Sequence, residues 1–111
     1  MPYPAFIEAF PALALPLPET AVRSHAIRSE AGLVVFFEFL EDVTLPPHSH
    51  LAQWGVLVSG EVSITVDGQR TTYRPGESWD LPAGVVHAVE IAAGSRAIDV
   101  FEEADRYPLK P

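Results

Sequence analysis

The chain has 111 residues, carries 7 basic against 15 acidic side chains for a net charge of −8, and contains no cysteine. A single domain of this length buries about two-thirds of its unfolded surface and needs no disulfide, and the missing cysteine suits a reducing compartment. The net negative charge argues against a surface that binds nucleic acids or anionic membranes, which would need a basic patch. The apolar run at 9–18 is too short and too interrupted by prolines to span a membrane. We therefore expect a soluble, cytoplasmic protein.

Residues 1–20 are predicted to form an arm that precedes one barrel domain, residues 21–111. Five of the eleven prolines fall in this stretch, which rules out a regular helix or a central strand through it. Its apolar residues are too many for a solvated linker, so the arm must lie against another surface. That surface is either the barrel of the same chain or a second subunit, and the sequence leaves both arrangements open.

From residue 21 onward, short extended runs alternate with turn residues at the spacing of roughly 8–12 residues that is typical of all-β sandwiches and barrels. The clearest hairpin follows the alternating run Glu61–Val66 and turns at Asp67 and Gly68, a dipeptide favoured in tight turns. Only 102–106 has helical spacing. The predicted strands are 22–27, 32–40, 43–50, 54–59, 61–66, 70–73, 77–81, 85–91 and 97–102.

The strand predicted at Gly32–Leu40 is apolar on both faces except at Glu38. One face should line the barrel interior, and the other must be covered by the arm or by a partner. Because a barrel this small has little surface with which to cover both the strand and the arm, we expect a homodimer.

Two stretches carry residues that bind metal ions. His48 and His50 are two apart, so on an extended strand both imidazoles point to one face, about 6.5–7 Å apart. Gln53 has the opposite parity and joins them only if residues 51 and 52 form a bend or bulge. Further along, Pro82 and Gly84 predict a sharp corner that aims His87. Three imidazoles and one amide can therefore meet.

These stretches resemble the paired motifs of the cupins. The first motif reads Gly, five residues, His-x-His, three or four residues, Glu, six residues, Gly. Here His48, His50 and Gly60 match it, whereas Asp42 replaces the opening Gly and Gln53 replaces the Glu.

The second cupin motif reads Gly, five residues, Pro-x-Gly, two residues, His, three residues, Asn. Gly76, Pro82, Gly84 and His87 match it, and Ile91 stands where Asn is usual. The chain is therefore identified as similar to small single-domain cupins of the RmlC-like, cupin 2 conserved barrel type. The resemblance implies an all-β double-stranded β-helix, a jelly-roll barrel with the proline-rich segment as its N-terminal arm.

The resemblance also implies one divalent metal ion held by His48, His50, Gln53 and His87. The identity of the ion stays open among zinc, nickel, iron, manganese and copper. With Gln in place of Glu, four neutral ligands leave the ion its full charge, so the site should favour an anionic ligand. The alternative is that Gln53 hydrogen-bonds an imidazole and does not contact the ion.

Asp99 and Phe101 share one face of the last predicted strand, and Arg106 follows shortly after. A buried carboxyl near a metal ion suits general acid–base catalysis, although Asp99 could instead pair with Arg106 or Arg96. The arrangement is similar to the Asp-x-Phe…Arg strand of the small cupins of pectin and alginate breakdown, which open unsaturated uronates. His25 shows no spacing that ties it to the other histidines, so we interpret it as a surface or structural residue.

The resulting hypothesis is a Lewis-acid enzyme of the isomerase, lyase or dehydratase type that acts on a small oxygenated anion such as a sugar acid. Asp99 would move a proton and Arg106 would bind a carboxylate. Two alternatives remain open: a non-haem iron dioxygenase, and a non-enzymatic cupin that binds a small ligand.

Overall fold

The computed structural model describes residues 3–111. A single helical turn, α1 (Ala5–Glu8), precedes the strands, whose order is the predicted one. The strands within this range are β1 (Val22–Ser29), β2 (Gly32–Phe39), β3 (Val43–His48), β4 (Gln53–Ser59), β5 (Val62–Val66), β6 (Gln69–Tyr73), β7 (Ser78–Leu81), β8 (His87–Ile91) and β9 (Arg96–Phe101).

All nine strands differ from the predicted bounds by one or two residues at one or both ends, and a few of the local differences matter here. The third strand ends at His48 rather than at residue 50, and the eighth begins at His87 rather than at residue 85. Residues 102–106 form turns and bends without a helix. The arm does contain one helical turn, α1, which starts after Pro4 because the carbonyl of Pro4 accepts the N–H groups of Ile7 and Glu8 at 3.0 and 3.2 Å.

The strands form two antiparallel sheets, and this confirms the jelly-roll prediction. One sheet has the order β1-β2-β9-β4-β7 and the other the order β3-β8-β5-β6. Apolar side chains from the inner faces of both sheets form one buried cluster, as expected for strands that alternate inward and outward residues. In β2, for example, Leu33, Val35, Phe37 and Phe39 are buried, whereas the residues between them are half-buried.

The N-terminal segment lies against the barrel of its own chain. The hydroxyl of Tyr3 donates to the carbonyls of Phe37 and Ala97 at 2.9 and 3.1 Å, and the Tyr3 ring meets Phe36 edge-on. Leu13 forms an isolated antiparallel bridge with Leu109. The first two residues of the predicted arm lie outside the described range, and the domain division at residue 20 stays a prediction.

Two turns that bear on the site have the predicted character. Asp67 and Gly68 both have positive φ, 50° and 75°, as a type I′ hairpin turn requires. Gly84, at φ 83°, forms the corner before β8, and its N–H donates to the carbonyl of His50 at 2.8 Å. The corner of the second motif is thus hydrogen-bonded to the loop of the first. Among residues 3–111, no helix is long and apolar enough to cross a bilayer.

Candidate metal centre

His48, His50 and His87 come together as the two motifs predict. The ring centroids lie 5.4 Å apart for His48 and His50, 4.3 Å for His48 and His87, and 4.9 Å for His50 and His87. One ring nitrogen of each residue lies within 4.8 Å of the others, close enough for a single ion to reach all three. His48 and His87 are direct partners in the β3–β8 pair, which explains their short separation.

His50 is placed by a loop and not by the pleat of a strand. Because β3 ends at His48, the expectation that both histidines lie on one extended strand is wrong in this detail. The loop residue Leu51 forms a bend, as the position of Gln53 required. Two carboxylates hold the loop, since Leu51 N–H donates to Glu103 Oε1 at 2.8 Å and Ala52 N–H to Glu102 Oε1 at 3.1 Å.

Each of the three imidazoles uses Nδ1 in a hydrogen bond to a backbone carbonyl. His48 bonds to Pro46 at 2.8 Å, His50 to Leu51 at 2.7 Å and His87 to Val85 at 3.0 Å. A carbonyl oxygen only accepts, so Nδ1 carries the proton and Nε2 keeps its lone pair. Backbone carbonyls that fix the tautomer in this way are typical of histidines that ligate metals.

The environment also favours the neutral form of two of these rings. Burial lowers the pKa of His50 and of His87 below the usual value, and the positive charge of Arg106 acts in the same direction. A neutral imidazole is the form that binds a metal ion, so the lowered pKa values favour metal binding.

Gln53, the first residue of β4, lines the same cavity as the histidines. Its amide Nε2 donates to Asp99 Oδ1 at 2.8 Å. A carboxylate only accepts, which assigns the amide nitrogen to this bond and leaves Oε1 available for an ion. Ligation by Gln53 remains a prediction.

Asp99 is 5% exposed and accepts two hydrogen bonds on the same oxygen. They come from neutral donors, the Gln53 amide and the Trp79 indole N–H, both at 2.8 Å, rather than from Arg96 or Arg106. Burial raises the pKa of Asp99 to about 6, and the two hydrogen bonds oppose the rise. This carboxyl group therefore changes charge close to neutral pH.

The sequence analysis gave neither Trp79 nor Gly55 a role at the site. Gly55 pairs with Trp79 on one side and with Asp99 on the other. A glycine inside a strand often marks a close approach of other groups, and that signal was present in the sequence. The partners of Gly55 could not be read from the sequence, because the strand register was unknown.

Arg106 lies beside the site, in the turn segment that follows β9. Its guanidinium carbon is 4.8 Å from the centroid of the Tyr107 ring, and Tyr107 lines the cavity. The Nε atom of Arg106 is buried and has no hydrogen-bond partner among residues 3–111. A buried donor without a partner is costly, which makes Arg106 a candidate for binding an anion. His25 lies elsewhere, with Nδ1 3.1 Å from the carbonyl of Phe10.

The metal-binding candidates open into a cavity of about 90 Å³ between the two sheets. Its polar lining consists of the three histidines, Gln53, Asp99 and the Tyr107 side chain, and the rest of the wall is apolar. Leu15 and Leu17 of the N-terminal segment contribute to that wall. The space is well below the roughly 300–1,000 Å³ of sites for drug-sized ligands, so it suits a small molecule.

Known proteins are similar to this chain in sequence pattern and in fold. The family model Cupin_2, described as a cupin domain, matches residues 25–101. No curated protein matches the sequence. Among solved structures, an RmlC-like cupin from Shewanella frigidimarina superposes with a TM-score of 0.76 at 21% identity and covers 96% of this chain and 95% of that chain.

Two further structures share the fold at lower coverage. KdgF from Halomonas sp. has a TM-score of 0.67 at 17% identity, with 78% of this chain and 84% of that chain covered. A variant of oxalate decarboxylase from Bacillus subtilis has a TM-score of 0.68 at 17% identity, with 89% of this chain but 29% of that chain covered. At these identities the likeness extends to the fold alone.

Proposed function

The chain belongs to the cupin domain family, and on that premise we propose that it is a metal-dependent enzyme of the isomerase, lyase or dehydratase type that acts on a small oxygenated anion. One observation carries the proposal. Three imidazoles with Nδ1 on backbone carbonyls converge beside a buried carboxyl group in one cavity between the two sheets.

In this proposal His48, His50 and His87 hold one divalent ion through Nε2, and Gln53 adds Oε1. All four ligands are neutral, so the ion keeps its full charge and, when bound, supplies Lewis-acid polarisation of a substrate oxygen. The tautomers set by the backbone support this assignment, as does the Gln53 amide, whose nitrogen is already bonded to Asp99.

Asp99 is the proposed proton carrier. It lines the cavity and its pKa is raised to about 6, so near neutral pH it can take up a proton and return it. Both of its hydrogen bonds go to Oδ1, and Oδ2 has no partner among residues 3–111. The free oxygen is the atom at which the proton would be held.

Arg106 is proposed to bind the negative charge of the substrate. Its buried, unpartnered Nε and its charge near His50 and His87 support that role. The cavity volume favours an anion of few atoms, and a sugar acid is the largest class that we consider. One fold neighbour is named for a small dicarboxylate, oxalate, although only the fold is shared.

The experiment loads the metal-free protein separately with Zn²⁺, Ni²⁺, Mn²⁺ and Fe²⁺ and supplies a panel of small carboxylates and uronates. The proposal expects a change in carbonyl absorbance without oxygen consumption, and loss of that change in Asp99→Asn. Oxygen uptake with Fe²⁺ would identify the dioxygenase alternative. Saturable binding without turnover for every metal would identify the non-enzymatic alternative.

A further inference from the structure

A hydrogen bond between two buried side chains, Trp79 and Asp99, lies beside the proposed metal ligands. Gly55 on β4 lies between its register partners Trp79 on β7 and Asp99 on β9. Trp79 is 4% exposed. Its indole N–H and the Gln53 amide donate to the same oxygen of Asp99, each at 2.8 Å.

We propose that Trp79 is a positioning residue of the metal site. Its indole N–H holds the Asp99 carboxylate in place. Asp99 in turn fixes the orientation of the Gln53 amide, so that the amide oxygen is free for the ion. The inference rests on the proposed metal site. It adds a residue whose indole N–H acts on the ion through Asp99 and Gln53.

The geometry of Asp99 supports a positioning role. A carboxylate held by one donor can turn part of the way about its terminal torsion and move its oxygen away from that donor. Here both N–H groups meet on Oδ1, so a rotation would break two charge-assisted hydrogen bonds at once. The Gln53 amide would then lose the acceptor that distinguishes its nitrogen from its oxygen.

Gly55 shows that the sheet leaves space for this contact. A Cβ atom at position 55 would lie 2.2 Å from Asp99 Oδ1 and 2.3 Å from Trp79 Nε1, too close to both the donor and the acceptor. Any side chain there would displace one of the two groups. The missing side chain at Gly55 is therefore a condition for the hydrogen bond from Trp79 to Asp99.

The test substitutes Trp79→Phe, which keeps an aromatic ring and removes the N–H. Co²⁺ affinity is measured by chelator competition, and the visible absorption of bound Co²⁺ reports its coordination. We expect Co²⁺ to bind roughly tenfold more weakly, at the lower end of the changes caused by loss of a residue that orients a ligand. The absorption should shift toward that of Gln53→Ala.

The matched control is Tyr73→Leu. The Tyr73 ring packs edge-on against Trp79 at 5.4 Å, so this change loosens the same indole without removing its N–H. Its Co²⁺ affinity should stay within about twofold of wild type, below the effect of losing an orienting residue. In a Gln53→Ala background, Trp79→Phe should have no further effect, because Trp79 acts through Gln53.

A measurement on the unaltered protein covers the case in which Trp79→Phe does not fold. The chain has two tryptophans, and Trp54 is 45% exposed, so its indole serves as an internal reference. On addition of Zn²⁺, the indole ¹H–¹⁵N resonance of Trp79 should move while that of Trp54 stays in place.

Three results would overturn the inference: an unmoved Trp79 resonance, wild-type Co²⁺ affinity in Trp79→Phe, or an equal loss of affinity with and without Gln53. The proposed metal site is tested separately, with the histidine variants. If the His48→Ala and His87→Ala variants bind Co²⁺ as well as the wild-type protein does, the site itself is misassigned. If those variants lose Co²⁺ and Trp79→Phe does not, only the role of Trp79 fails.

Discussion

At Asp99, burial and hydrogen bonding act on one carboxyl group in opposite directions. Burial raises its pKa from the ordinary 3.8 to about 6, although the bonds from Gln53 and Trp79 stabilise the charged form. The folded protein therefore binds this proton more tightly than the unfolded chain does. By linkage, protonation of Asp99 stabilises the folded state. This contribution to the free energy of unfolding is fully present below pH 3.8 and is lost as the pH rises through about 6.

Asp99→Asn should remove this pH dependence. Relative to wild type, we expect the free energy of unfolding of the variant to increase by roughly 2 to 3 kcal/mol between about pH 4 and about pH 7.5. Urea denaturation of the metal-free proteins across that range measures it. Comparing the two proteins at each pH cancels the effect of the histidines on stability, because both proteins contain the same histidines. A difference that stays constant with pH would show that Asp99 titrates normally.

Gln53→Glu tests the charge of the proposed ion directly. The new carboxylate should tighten metal binding, by roughly tenfold at about pH 8, because it adds a charge–charge attraction. It should also weaken the binding of malonate to the metal-loaded protein, since the ion is then partly neutralised. Below neutral pH the gain should shrink, because the carboxyls at 53 and 99 would share a proton in the metal-free site.

Chelator competition and malonate titration give the two affinities, with Gln53→Ala as the control that removes the ligand without adding charge. If neither affinity responds to Gln53→Glu, Gln53 does not contact the ion. The case for Lewis-acid chemistry from a fully charged ion would then lose its main support.

At the scale of elements, the ligands depend on one strand pair and one loop. His48 and His87 are cross-strand partners in β3 and β8, while the loop from 49 to 52 supplies His50. That loop is held by Glu102 and Glu103 and by the corner at Gly84. The apolar core lies on the inner faces of both sheets, and of the three histidine candidates only His87 is fully buried.

His48→Ala and His87→Ala should each abolish tight metal binding while the β domain stays folded. The matched control is His25→Ala. His25 lies on β1, bonds to the carbonyl of Phe10 in the N-terminal segment, and is not one of the clustered histidines, so this variant should keep the metal. Metal content by elemental analysis and far-ultraviolet circular dichroism give the two readouts. Stoichiometric metal in either of the first two variants would place the site elsewhere.

Considered as a whole molecule, the barrel leaves an apolar row uncovered on the outer face of its five-stranded sheet. Ile27, Val34, Val100 and Trp54 are successive register partners across β1, β2, β9 and β4. Ile27, Val100 and Trp54 are 46%, 38% and 45% exposed. The N-terminal segment covers the neighbouring position Phe36 but not this row.

We propose that the chain forms a homodimer and that this outer row lies in the interface. Light scattering at micromolar concentration should give twice the monomer mass. The double variant with Trp54→Lys and Val100→Lys should be monomeric, because it places charges in an apolar contact. Leu40→Lys, an equally exposed apolar residue outside the row, should remain dimeric. A monomeric wild type, unchanged by deletion of residues 1–18, would contradict both the dimer and a role for the arm in it.

The sequence by itself determined the strands and the identity of the histidine ligand candidates. Alternation of apolar residues is a local property, and so is the turn chemistry of Asp67, Gly68 and Gly84, so these features can be read without knowing what packs where. Together with the resemblance of the two histidine motifs to those of cupins, they predicted a jelly-roll barrel with three imidazoles at one point.

Only the tertiary structure decided what surrounds those imidazoles. The hydrogen bonds of Asp99 join residues 46 and 20 positions apart in the chain. They exist because β4 lies between β9 and β7 in one particular register, and a shift by one residue would turn Gln53, Trp79 and Asp99 to other faces. Register is set by the packing of the entire core, which no local pattern contains, and so the role of Trp79 and the space at Gly55 became visible only in the folded chain.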